Sequence, residues 1–220
     1  MIYSDGRKLT LSGWLKNNNP TSFNNPLKFQ KYLFLYEAYS KIDNESYDFS
    51  RLKGYKRGPV FSTVWGDYTK EKNSFNTQAD KYYISHSDIV NPDIAEFASF
   101  VTDIFNENEL SELTHKMNIW KSKESLINND CYQVELSESD FTDDDASLLK
   151  NLRDSFSSDI IKCSTTIEIG PKTFLFDSEN YSRFTASHLD LLSDLVCKHG
   201  DDLENPVYVE IDEEGVLLVD

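Results

Sequence analysis

Glycine and proline are scarce, 8 and 6 of 220 residues, which excludes a collagen-like or low-complexity chain. No apolar run approaches the roughly 18–20 residues of a membrane-spanning helix. The opening stretch MIYSDGRKLTLSGWL is too polar for a secretory leader. The three cysteines, Cys131, Cys163 and Cys197, leave one over after any pairing and have no CxxC spacing. These features predict a reduced, cytoplasmic protein with no membrane partner. The familiar chemical signatures are missing as well. There is no Walker loop, GxGxxG, HExxH or GxSxG, and no Cys/His cluster at metal-ligand spacing. His86, His115, His188 and His199 are scattered, so no metal, no cofactor and no catalytic residue is expected. Cys131 near His115 is better read as a small buried hydrophobe than as a nucleophile.

Apolar residues make up 39% of the chain, with 14 Phe, 12 Tyr and 3 Trp. That content is enough for a large core and excludes disorder over most of the length. The net charge is −16, and it is placed unevenly. Residues 1–120 carry 14 basic and 15 acidic side chains, a balance of −1. Residues 121–220 carry 8 and 23, a balance of −15. An acidic surface repels nucleic acid and anionic membranes and attracts a basic protein surface. The bland reading is that surplus carboxylates keep the protein soluble. Against the trend, Arg51, Lys53, Lys56 and Arg57 cluster with no acid among them. Four charges make a weak nucleic-acid footprint, and direct nucleic-acid binding is disfavoured.

Helical spacing places Leu11, Trp14 and Leu15 on one side of a helix over 5–17. Residues 17–26 read as a turn-rich loop. Asn25 as N-cap and Pro26 at the first helical position then open a helix over 27–39, apolar nearly all round. Gly58-Pro59 is read as opening a second helix carrying Phe61, Val64, Trp65 and Tyr68. Asn91-Pro92 opens an amphipathic helix through Phe105, and residues 110–120 are again helical. Residues 132–136 read as a strand. Thr142 caps a helix whose first turn, Asp143-Asp144-Asp145, suits the helix dipole without invoking a metal; Leu149, Leu152 and Phe156 form its buried face. Beyond residue 160, hairpins are expected around Gly170-Pro171 and around DEEG at 212–215. Between them lies a helix capped by Thr185, bearing Leu191, Leu192, Leu195 and Val196 and ending at Gly200. EIDEEG at 210–215 lacks EF-hand spacing and is read as a turn, not a calcium site.

Three segments carry a family resemblance: LKFQKYLFLY at 27–36, YKRGPVFSTVWGDY at 55–68 and LSELTHKMNIW at 110–120. In order and rough spacing they resemble the Panacea domain, found in the SocA-like antitoxins and phage-associated homologues. Lys31 and Leu33 match the first motif, while Phe29 replaces its leading Leu. Gly58, Pro59, Val60 and Val64 match the second, where Arg57 replaces an aromatic. Leu110, Leu113, Thr114, His115 and Trp120 match the third. The resemblance implies a mainly α-helical domain with short strands over residues 1–156; residues 157–220 lie outside it and read, from their own hairpin and helix signals, as a small acidic α+β C-terminal module. It implies no enzymatic activity. It implies instead the antitoxin of a type II toxin–antitoxin system, silencing a co-encoded protein toxin by direct binding. One branch of the family acts as a proteolytic adaptor for a Clp-type protease. Net charge alone supports a third reading, an acidic nucleic-acid mimic of phage origin. The motif residues read mainly as structural. The acidic module, unmatched by the family, is the expected toxin-specific part, with Asp201, Asp202, Glu204, Glu210, Asp212, Glu213 and Glu214 as candidate contacts. They would face a toxin with a basic nucleotide- or tRNA-binding site.

Overall fold

A computed structural model describes residues 1–129 and 133–220. The chain is mostly helical, with two small sheets, and divides into two compact units. Unit 1 comprises residues 1–102 and 107–155; unit 2 comprises 103–106 and 156–220.

Unit 1 opens with α1 (Gly6–Asn18), α2 (Pro20–Asn24) and α3 (Pro26–Ile42). The helix α2 lies inside the stretch expected to be a loop. Asn19 caps it by accepting from the Ser22 N–H, and Pro20 stands at its first position, the same Asn-Pro device that starts α3. In α3, Asn25 Oδ1 accepts from Leu27 N and Lys28 N at 3.0 and 3.1 Å. This helix is the centre of the core: Phe29, Tyr32, Leu33, Phe34, Leu35, Tyr36, Ala38 and Tyr39 are all buried, as all-round apolarity requires. Strands β1 (Leu52–Tyr55) and β2 (Gly58–Phe61) follow, then α4 (Ser62–Lys70), α5 (Lys72–His86), α6 (Pro92–Ile104) and α7 (Glu107–Lys116). Short helices α8 (Asn118–Lys121) and α9 (Glu124–Asn128), strand β3 (Val134–Glu135) and helix α10 (Asp143–Asp154) complete the unit. The strands form one antiparallel sheet in the order β2-β1-β3, with Tyr55 opposite Gly58 and Lys53 opposite both Val60 and Glu135.

The second helix starts later than the sequence suggests. Gly58 adopts φ +108°, outside the helical region, and Gly58-Pro59 pair with β1 as an edge strand, where a proline lacking an N–H is tolerated. The helix α4 begins only at Ser62. The helix α5 packs along α1, and Gly13 permits the approach: a Cβ there would lie 2.3 Å from the Ala79 carbonyl oxygen. The face of α10 also differs from expectation. Asp145 and Leu149 are buried, whereas Leu152 and Phe156 are only half-buried. The strand expected from residue 132 is observed at Val134–Glu135; Tyr132, like Cys131, falls outside the described residues.

Unit 2 contains α11 (Ser158–Cys163), β4 (Thr165–Ile169), β5 (Lys172–Phe176), α12 (Ser178–Arg183), α13 (Ala186–His199), β6 (Val207–Ile211) and β7 (Leu217–Val219). Its sheet order is β4-β5-β6-β7. Both expected hairpins are present, and a parallel β5–β6 pairing joins them. A parallel pair needs a crossover connection, which α12 and α13 supply. The core is Phe174, Phe176, Leu192, Val207 and Val209. Leu191, expected on the buried face of α13, is 57% exposed. Gly200 is right-handed (φ −58°) and leads into a further helical turn, Gly200–Asp202, rather than forming a left-handed cap.

Candidate functional site

Residues from the three family-like segments, far apart in sequence, meet at one place in unit 1. Lys31 projects from α3 and is 1% exposed. Its Nζ donates to the Arg57 carbonyl oxygen at 2.7 Å and to Thr114 Oγ1 at 2.5 Å. Both acceptors are neutral oxygens. Burial, reinforced by the Arg57 guanidinium, pushes the Lys31 amine well below the usual lysine range. Gly58 closes over this amine: a Cβ there would lie 2.0 Å from Lys31 Nζ and 2.5 Å from Thr114 Oγ1. His115 stacks on Trp120 with ring centres 3.8 Å apart, and burial followed by the nearby Lys31 charge lowers its pKa. Trp120 Nε1 in turn donates to the Tyr55 carbonyl at 2.9 Å. Leu33 and Val64 are buried in the core, and Leu113 is half-buried.

Beside the amine opens a cavity of about 400 Å³. Tyr55, Trp65, Pro59, Val60 and Leu27 supply apolar wall, and Gln30 and Lys31 supply polar groups. Gln30 Oε1 accepts from the Phe61 N–H at 2.9 Å, which fixes the amide orientation. Its Nε2, buried with the rest of the side chain, has no acceptor. Lys56 and Arg57 bring positive charge to the lining. The one lining carboxylate, Glu107, accepts from Asn25 Nδ2 at 2.9 Å and pairs with Arg57 at 2.7 Å. The Asn25 hydrogen bond, followed by Arg57, lowers its pKa. Gln30, Tyr55 and Trp65 lie within the family-like segments but are not among their matched positions, and Glu107 lies outside them, so none stands out as a site residue in the sequence. The one available signal is that Gln30 and Arg57 each adjoin a motif residue.

The seven acidic candidates in unit 2 do not form one patch. Asp201, Asp202 and Glu204 precede β6, and Asp212, Glu213 and Glu214 follow it. A five-residue strand separates the two groups by about 16 Å. All but the half-buried Asp212 are exposed. Asp212 holds the turn, accepting from Glu214 N at 2.9 Å and Val216 N at 2.8 Å. Asp202 lies 3.7 Å from His199. Glu210 lines a separate cleft with Asp177 and Cys163. Among the described residues no group of three or more His, Cys, Asp or Glu side chains is placed to hold a metal ion, and no helix is long and apolar enough to cross a membrane.

Comparison of the chain with protein-family models, with curated proteins and with solved structures finds no match.

Proposed function

We propose that this protein is a Panacea-like antitoxin that neutralises a co-encoded protein toxin by direct binding, with unit 2 supplying the toxin-specific surface. The observation that carries the reading is the charge of that unit. Residues 156–220 hold 14 acidic side chains against 4 basic, on a unit with its own hydrophobic core. Its carboxylates therefore stand on a scaffold of defined shape. A toxin that handles nucleotides or tRNA presents cations at its active site. A folded acidic surface competes for such a site and speeds association by electrostatic steering. The meeting of Lys31, Gly58 and Thr114 supports the family resemblance, because motif residues that share one cluster constrain each other's identity.

The test is co-expression with the product of the neighbouring reading frame. Growth arrest by that product alone, relieved by this chain in a stable complex, is the expected result. Relief with disappearance of the partner in a Clp-dependent manner would replace occlusion by delivery to a protease. No complex and no relief would remove the proposal.

A further inference from the structure

The cavity in unit 1 has features that a packing role leaves unexplained, and they are independent of the acidic unit. Its volume falls within the range of small-molecule sites. Its walls are apolar and include two aromatic side chains, Tyr55 and Trp65. Gln30 is 2% exposed, and one end of its amide is anchored on Phe61 N while the other end lacks an acceptor. Buried donors are almost always satisfied, so Nε2 points to an acceptor brought by a ligand. Charge gives the remaining element. In a chain of net charge −16, this cavity is lined by Lys56 and Arg57, and its single carboxylate is already held by Asn25 and Arg57.

We propose that this cavity binds a small planar anion. Its aromatic ring lies among Tyr55, Trp65 and Pro59, a ring carbonyl or equivalent acceptor receives the Gln30 Nε2–H, and its anionic oxygens meet Lys56 and Arg57. Two sources share that chemistry, a mononucleotide and an aromatic carboxylate. An apolar ring with a few convergent polar groups is the usual composition of such sites. Guanidinium and ammonium groups are the usual partners of phosphate and carboxylate oxygens.

The experiment is isothermal titration of the full chain with uridine monophosphate and, separately, with indole-3-acetate, each at millimolar concentration. Saturable binding of one probe is expected, and the probe that binds identifies the source. Arg57→Gln and Lys56→Gln change exposed side chains and should each weaken binding by about tenfold, as loss of a charge-assisted hydrogen bond does. Gln30→Leu should weaken it as well. Arg153→Gln, outside the cavity, should leave it unchanged. Thermal unfolding of each variant identifies any loss caused by misfolding. No saturable binding of either probe would overturn the proposal. So would binding that is equal in the wild type, Arg57→Gln and Lys56→Gln.

Discussion

The backbone of Gly58 lies so close over the Lys31 amine that a methyl group there would stand 2.0 Å from Nζ. Gly58 also adopts φ +108°, a conformation that side chains resist. Gly58→Ala therefore meets both backbone strain and a collision. We expect it to cost about 2–4 kcal/mol, lowering the unfolding midpoint by at least about 5 °C. Gly66, in α4 with open space where its Cβ would stand, is the control. Gly66→Ala should stabilise by up to about 1 kcal/mol. Equal effects of the two substitutions would contradict this reading.

The buried amine gives stability a pH dependence of defined sign. Burial holds the folded Lys31 amine well below the usual lysine range, whereas the unfolded chain holds the proton up to about pH 10.4. Between those two values the unfolded state binds more protons, so the Lys31 contribution to stability grows as pH rises. Denaturation of the wild type and of Lys31→Met from about pH 7 to about pH 9.5 should show the wild type gaining relative to the variant. Parallel curves would show that the amine stays charged when folded.

Glu37 is fully buried and collects Lys8 Nζ at 2.6 Å, Arg7 Nε at 2.9 Å and the Asp48 N–H at 2.9 Å. It ties α1 and the segment before β1 to the central helix. Lys8 is 1% exposed, and its other acidic partner, Asp48, is 3.6 Å away. Glu37→Leu strands that charge and should cost about 3–5 kcal/mol. Adding Lys8→Met should recover a large part of the loss, giving a double-mutant coupling well above the scatter of additive pairs.

Asp145 is more than the third acid of a helix start. Its carboxylate accepts from Asn118 N at 2.5 Å, Ile119 N at 3.0 Å and Thr142 N at 3.2 Å, so it caps its own helix and α8 together. Asp145→Ala should cost about 2 kcal/mol by chemical denaturation. Asp143→Ala and Asp144→Ala, both exposed, should cost well under 1 kcal/mol.

Legibility in the sequence followed the signal carried by each segment. The starts of α3 and α6 were readable because Asn-Pro fixes a cap and a first-turn φ, and both hairpins of unit 2 because alternation brackets a glycine turn. The helix α5 carried no such signal, because only Phe75 and Ala79 of its 15 residues are buried. Gly58-Pro59 misled because a proline suits both a helix start and an edge strand, and only the positive φ of Gly58 decides between them. Lys31, Gly58 and Thr114 can each be picked out in the sequence, but not their meeting, which depends on the packing of α3, β2 and α7. The orphan amide of Gln30 is not legible either: its place next to Lys31 on a core helix is visible, but that Nε2 lacks a partner depends on the packing around it. The acidic candidates rest on a count of charge, and a count cannot show that β6 lies between two groups of them.

The central claim is that the carboxylates of unit 2 bind the co-encoded partner, and one measurement tests it most directly. The association rate and affinity of the full chain for that partner should be compared with those of a variant carrying Asp201→Asn, Asp202→Asn, Glu204→Gln, Glu210→Gln, Glu213→Gln and Glu214→Gln. Asp212 is kept because it holds the turn. The account predicts unchanged unfolding, an association rate reduced by about tenfold or more at low salt, and loss of neutralisation. Undiminished affinity and full growth protection by the neutralised variant would contradict it.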